Sequence, residues 1–198
     1  MRMKMFILLA AVITGAAHAE SADRVRLGMQ VGYGIEQADL FGSGRSSNTR
    51  LLMFQPQVSV ALKRTAGQPV VELVNELTFA DSLRPCQKLI MSANDGFRFH
   101  IHPTSRMGEY LELGAGIGSS ALHADPAEQR SRSDLPFRQL NGWLQYHLQV
   151  GAGIRVNIGG SRVHIGYRLT HFSNNETTRP NLGLNLNTMV VNWQSPAF

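Results

Sequence analysis

Cysteine is nearly missing from this 198-residue chain: Cys86 stands alone, so no intrachain disulfide can form and something else must hold the fold. After the first nineteen residues, no stretch approaches the ~18 continuous apolar residues a membrane-crossing helix requires, so any membrane-spanning part must use strands. A basic run is absent too. The arginines are scattered singly through alternating segments, which excludes nucleic acid as a partner despite a sequence pI near 9.9. There is also no histidine cluster with ligand spacing. His100, His102, His147 and His164 come from three separate segments, so neither a metal nor another cofactor is expected.

What the chain does have begins with Arg2 and Lys4, an apolar run from Met5 to Ile13, and Ala17-His18-Ala19. A basic start, a short apolar core and a small-residue cleavage site describe a secretory signal peptide over residues 1–19, leaving residues 20–198 as a single domain. Losing Arg2 and Lys4 lowers the net charge from +5 to 17 − 14 = +3, a modest excess compatible with anionic headgroups.

The rest of the chain alternates apolar and polar residues with period two. Val25, Leu27, Met29, Val31, Tyr33 and Ile35 oppose Arg24, Arg26, Gly28, Gln30, Gly32 and Gly34, and a Gly/Ser-rich loop (36–48) follows. A second strand is expected from Thr49 to Leu62, with a bulge at Pro56, which has no ladder donor. Next comes a third (Val71 to Phe79), whose apolar face Asn75 breaks. Residues 81–94 have no clear pattern, and a fourth strand resumes at Phe97 to Ile101, with Asp95-Gly96 as a bulge or its start. A fifth (Tyr110 to Ile117), a long polar loop (123–134), a sixth (Leu144 to Ile158), a Gly159-Gly160-Ser161 turn, a seventh ending at Ser173 and an eighth ending near Trp193 complete the chain.

Eight strands of this length, with no open edge tolerated in lipid, predict an all-β, eight-stranded antiparallel transmembrane barrel. Its interior has room only for side chains, and the inward set Glu72, Glu76, Arg98, His100, Glu112, His147, Arg155 and Arg168 would pair there as a plug. With short turns periplasmic and long loops outside, the seventh strand ends at the outer leaflet.

The costly feature lies on that strand. Val163, Ile165, Tyr167 and Leu169 form its apolar face, and His171 and Ser173 continue the same face. Two strand residues separated by one project side by side, and serine needs an adjacent base to attack an ester. His171-Phe172-Ser173-Asn174 followed by Pro180-Asn181-Leu182-Gly183 resembles the outer-membrane lipid A 3-O-deacylases of the PagL type. The resemblance covers the signal peptide, the strand pattern and, most specifically, the last two strands. It implies His171 as general base, Ser173 as nucleophile, and Asn174 and Asn181 as oxyanion donors. The substrate would be lipid A of lipopolysaccharide in the outer leaflet of the outer membrane, with no cofactor. The family's third member, a glutamate that orients the histidine, falls on Asn185 in this chain, and Glu176 is the nearby carboxylate that could substitute. The other readings are an inactive structural or adhesive barrel and a different lipid acyl hydrolase. A second copy of the chain, as a homodimer, is a candidate partner.

Overall fold

The structure, a computed structural model, describes residues 24–36, 49–84, 89–120, 144–173 and 183–198. The expected signal peptide and Cys86 lie outside the described residues. Eight strands, β1 (Val25–Glu36), β2 (Arg50–Thr65), β3 (Gln68–Arg84), β4 (Leu89–His100), β5 (Met107–Ser120), β6 (Gln145–Ile158), β7 (Ser161–Ser173) and β8 (Leu184–Gln194), pair in sequence order. β8 returns to β1, which closes the barrel.

Closure fixes the geometry. From Val31 the ladder runs in one direction through Phe54, Phe79 and Met91 to Ser119. In the other direction it runs through Val191, Ile165 and Ile154 to Glu109. The circuit therefore returns to β5 ten residues away from its start. That stagger tilts the strands and leaves an interior only wide enough for side chains.

One end of the barrel, the turn end, carries Ala66-Gly67 and Gly159-Gly160, all four at positive φ, as two-residue hairpin turns. The β4–β5 connection (101–106) is at the same end. There the Arg155 guanidinium donates to the carbonyls of His102 (2.8 Å), Pro103 (2.9 Å) and Ser105 (3.1 Å). The opposite end is the loop end.

Alternation sends large apolar side chains outward. Leu27, Val31 and Ile35 of β1, Leu111 and Leu113 of β5, and Val150 and Ile154 of β6 are all exposed. A belt of this kind is a surface for lipid. Inside, Glu72, Glu76, Arg98, His100, Glu112 and Arg168 of the expected set pair, with Arg162 added, whereas Arg155 donates to the turn carbonyls and His147 lies against Ser92. Arg168 donates to Glu112 (2.9 Å) and Glu76 (3.2 Å), Arg98 to Glu112 (2.9 Å), and Arg162 to Glu72 (2.6 Å). His100 completes Glu72 at 3.0 Å. Three guanidiniums balance three carboxylates, and Gln55 and Gln57 each donate to Glu76 at 2.6 Å. Tyr110 fills the space beside them. A Cβ on Gly166 would collide with its hydroxyl, and one on Gly153 would sit 2.7 Å from its ring.

Toward the loop end the interior becomes apolar, with Leu51, Met53, Ala80, Ile90, Phe172, Leu184 and Leu186 in one buried cluster. This changeover explains the weakest part of the strand reading. Where both faces are apolar the period-two contrast vanishes, so β3 and β4 run on to Arg84 and from Leu89, across residues that had no clear pattern. Asp95-Gly96 is neither a bulge nor a start, because the β3–β4 register is continuous from Val71↔Phe99 to Asp81↔Leu89. Nor does Pro56 cause a bulge. It pairs with Met29 in an unbroken β1–β2 register, and on the β3 side the pairing skips Gln55 and Pro56 without a shift. The shifts in β2 fall near its two ends, at Arg50/Leu51 and between Ala61 and Arg64.

The network predicts a large penalty for removing its hub. Arg168→Leu would leave Glu76 and Glu112 short of a buried partner, costing about 3–5 kcal/mol. The urea midpoint of the barrel refolded in lipid vesicles should fall accordingly, and Arg168→Lys should recover only part of the loss.

Candidate active site

The site forms at the loop end of the β7–β8 seam. Alternation along β7 turns His171 and Ser173 outward and Phe172 inward, where it is fully buried. Phe172 stacks on His147 with ring centroids 4.3 Å apart, and His147 Nδ1 in turn lies 2.8 Å from Ser92 Oγ. On β8 the inward Leu184 and Leu186 flank the outward Asn185 in the same way. Three core side chains thus clamp the backbone from within, and the polar groups project from its outer side.

Register then sets the contact. His171 and Asn185 are direct cross-strand partners, and His171 Nδ1 lies 2.7 Å from Asn185 Oδ1. Because a carbonyl oxygen only accepts, Nδ1–H donates. In the neutral form of the ring this tautomer puts the lone pair on Nε2, the form a general base requires. Ser173, half-buried, is two residues farther along the same face, about 6–7 Å by strand rise. Asn185 is itself 6% exposed, so the orienting bond is shielded although it lies on the outer wall.

Gly183 supplies the remaining constraint. Its φ is +68°, and a Cβ built there would approach His171 Cε1 to 2.8 Å. The His171 ring therefore lies against a backbone where only glycine fits. Of the residues expected at the site, the structure joins His171 to Asn185 and places Ser173 on the same face of β7. Asn174, Glu176 and Asn181 lie outside the described residues.

Two features escaped the sequence reading. Gly183 was noted only as part of a motif, although a positive φ directly before a strand is its physical role. Below His171, toward the turn end, Asn187 also faces outward and accepts a hydrogen bond from the Tyr167 hydroxyl. In the first four residues of β8 (184–187) the usual pattern is reversed, with leucines inside and asparagines outside. Next to this polar row lie the exposed Leu148, the direct partner of His171, and Val150. Among the described residues no group of three His, Cys, Asp or Glu side chains could hold a metal ion.

Comparison with known proteins gives a consistent result. The model of the family described as lipid A 3-O-deacylase (PagL) matches residues 80–194, which include both strands of the site. Among solved structures, the outer-membrane enzyme PagL superposes with a TM-score of 0.62 at 14% identity, covering 83% of this chain and 97% of that one. Neisserial surface protein A superposes with a TM-score of 0.55 at 10% identity, covering 89% and 97%. At these identities the likeness is one of fold. No curated protein matches the chain in sequence.

The close approach at Gly183 predicts a selective lesion. Gly183→Ala should cost about 1–2 kcal/mol in backbone strain. It should also tilt the His171 ring off Asn185, so that the Nδ1–H proton resonance of His171 shifts or disappears in NMR spectra while strand dispersion is retained.

Proposed function

The chain belongs to the lipid A 3-O-deacylase (PagL) family, and from that premise we propose that it is a serine esterase of the outer membrane. It removes the 3-O-linked hydroxyacyl chain from lipid A of lipopolysaccharide. The observation that carries this reading is the hydrogen bond from His171 to Asn185 on the outer wall, with Ser173 next on the same face. A base held in the right tautomer beside a hydroxyl, at the rim of a lipid-facing wall, suits an ester at the level of the headgroups. The expected signal peptide over residues 1–19 and a barrel with its turn end in the periplasm would bring this rim to the outer leaflet.

In this mechanism His171 Nε2 takes the Ser173 hydroxyl proton as Oγ attacks the ester carbonyl carbon. The oxyanion is held by donors from Asn174 and Asn181. Collapse breaks the bond to the sugar oxygen, which leaves as a hydroxyl with the proton from His171. Water, deprotonated by the same ring, then hydrolyses the acyl-enzyme to release the fatty acid and restore Ser173. The exposed Leu148 and Val150 offer the acyl chain an apolar path toward the turn end. No metal or organic cofactor takes part.

Asn185 also favours a second reading, in which the site has lost its carboxylate and the barrel is structural. An amide orients the ring but does not offset the positive charge of imidazolium. Mass spectrometry of lipid A from cells expressing the wild type, Ser173→Ala and Asn185→Glu distinguishes the two. The esterase should remove one hydroxyacyl chain, Ser173→Ala should abolish the loss, and Asn185→Glu should raise the rate at least ~10-fold. Unchanged lipid A in all three strains, with the barrel inserted, would leave the structural reading standing.

A further inference from the structure

In the turn-end half of the lumen, the ionic network leaves both hydrogen-bonding groups and charge uncompensated. His164 faces inward on β7 and is fully buried, and neither of its ring nitrogens has a hydrogen-bond partner among the described residues. A neutral imidazole has one N–H to give and one lone pair to fill, so a buried ring with both unused calls for a further group beside it. Two guanidinium N–H groups are in the same state. One is Nη1 of Arg98, which gives Nε and Nη2 to Glu112, and the other is Nε of Arg155, whose Nη groups go to the turn carbonyls.

These groups lie together. The His164 ring is edge-on to Tyr110 with centroids 5.1 Å apart, and the Arg98 guanidinium is 5.4 Å from the centroid of the same tyrosine. His100 stands 5.7 Å from His164, ring to ring, with Nε2 on Glu72 and Nδ1 unpartnered among the described residues. Arg155 is the direct cross-strand partner of His164 on β6, and the partner on β8, Asn192, gives its amide to Gln57. Arg98, Arg155 and Arg162 are fully buried in this half and Arg26 is half-buried, against the carboxylates of Glu72 and Glu112, and Arg168 shares Glu112. Arg155 and Arg26 are held by neutral carbonyls, Arg26 by those of Gly160 (2.8 Å) and Ser195 (2.5 Å). Such carbonyls take the hydrogen bonds without neutralising the charge, so this half carries an excess of positive charge.

We propose that this half of the lumen binds one small inorganic anion of the halide class, held by His164, Arg98 and Arg155. A monatomic anion accepts several N–H donors at once and supplies the negative charge that the neighbouring carbonyls do not. Water would satisfy the nitrogens and leave the charge as it is. A phosphate or carboxylate needs more space than Tyr110 leaves, since a Cβ on Gly153 or Gly166 would already collide with it. A metal cation would add to the positive excess, and the described residues offer no group of three ligands for one. The anion belongs to the interior and the β7–β8 site to the outer wall, so the proposal is independent of whether that site is catalytic.

The test uses bromide as the probe. Crystals of the whole protein grown in sodium bromide should show an anomalous peak beside His164, Arg98 and Arg155. In phosphatidylcholine vesicles at constant ionic strength, replacing gluconate, an anion too large for the site, with bromide should favour the folded barrel. The unfolding equilibrium should shift at least ~10-fold once bromide exceeds its dissociation constant about tenfold, and the effect should saturate. His164→Phe keeps a ring and removes both nitrogens, so the peak and the bromide dependence should both disappear. Ordered water at His164 without an anomalous peak, peaks confined to the barrel's surface (an adventitious ion only), or a bromide effect unchanged in His164→Phe would each overturn the proposal. The diffraction experiment uses the wild type, so it decides the matter even where the variant fails to fold.

Discussion

Closure of one sheet on itself is the constraint from which the rest of this molecule follows. In an apolar solvent an unpaired strand edge is prohibitively costly, so β8 must find β1, and it does so only with the ten-residue stagger described above. That stagger sets the tilt, the tilt sets the radius, and the radius leaves a lumen wide enough only for the eight rows of inward side chains. The strands themselves have no choice about which residues enter it, because period-two alternation sends every second side chain inside.

What the lumen holds is divided along its axis. From the middle to the turn end it is ionic: three guanidiniums pair with three carboxylates, and a fourth, Arg155, is satisfied by the carbonyls of the β4–β5 turn. At the loop end it is apolar, and this is the part that supports the candidate site. Phe172, Leu184 and Leu186 alternate in sequence with His171, Ser173 and Asn185, so the packed cluster and the polar row are two faces of the same few residues. A well-packed core holds its backbone more firmly than a hydrogen-bonded network open to rearrangement. The rim is therefore most firmly held opposite the His171–Asn185 hydrogen bond.

This division also explains how much could be read in advance. The long runs of β1, β6 and β7, apolar outside and polar inside, announce themselves, and the inward charges were legible because nothing else explains Arg168 or Glu112 in such a pattern. The loop-end halves of β3, β4 and β8 were not, since Ala80, Ile90, Leu184 and Leu186 put apolar residues on the inner face and Asp81, Asn185 and Asn187 put polar ones on the outer. Hydrophobic alternation carries no information where the lumen changes character. His171 and Ser173 stood out because they break the apolar face of an otherwise clear strand. The pairing of His171 with Asn185 was implied only by the family resemblance, because the ten residues between Ser173 and Leu184 do not by themselves determine the β7–β8 register, and the close fit at Gly183 depends on that register too.

Asn185 shows how burial and chemistry pull against each other on an outer wall. A carboxylate at this position would stabilise an imidazolium at His171, as the proposed ester cleavage would form, but it would have to lose most of its water to occupy a residue that is 6% exposed. An amide is far cheaper to cover with lipid and still accepts the Nδ1–H bond at 2.7 Å. It therefore keeps the orienting half of the carboxylate's role, tautomer and ring direction, and gives up the electrostatic half.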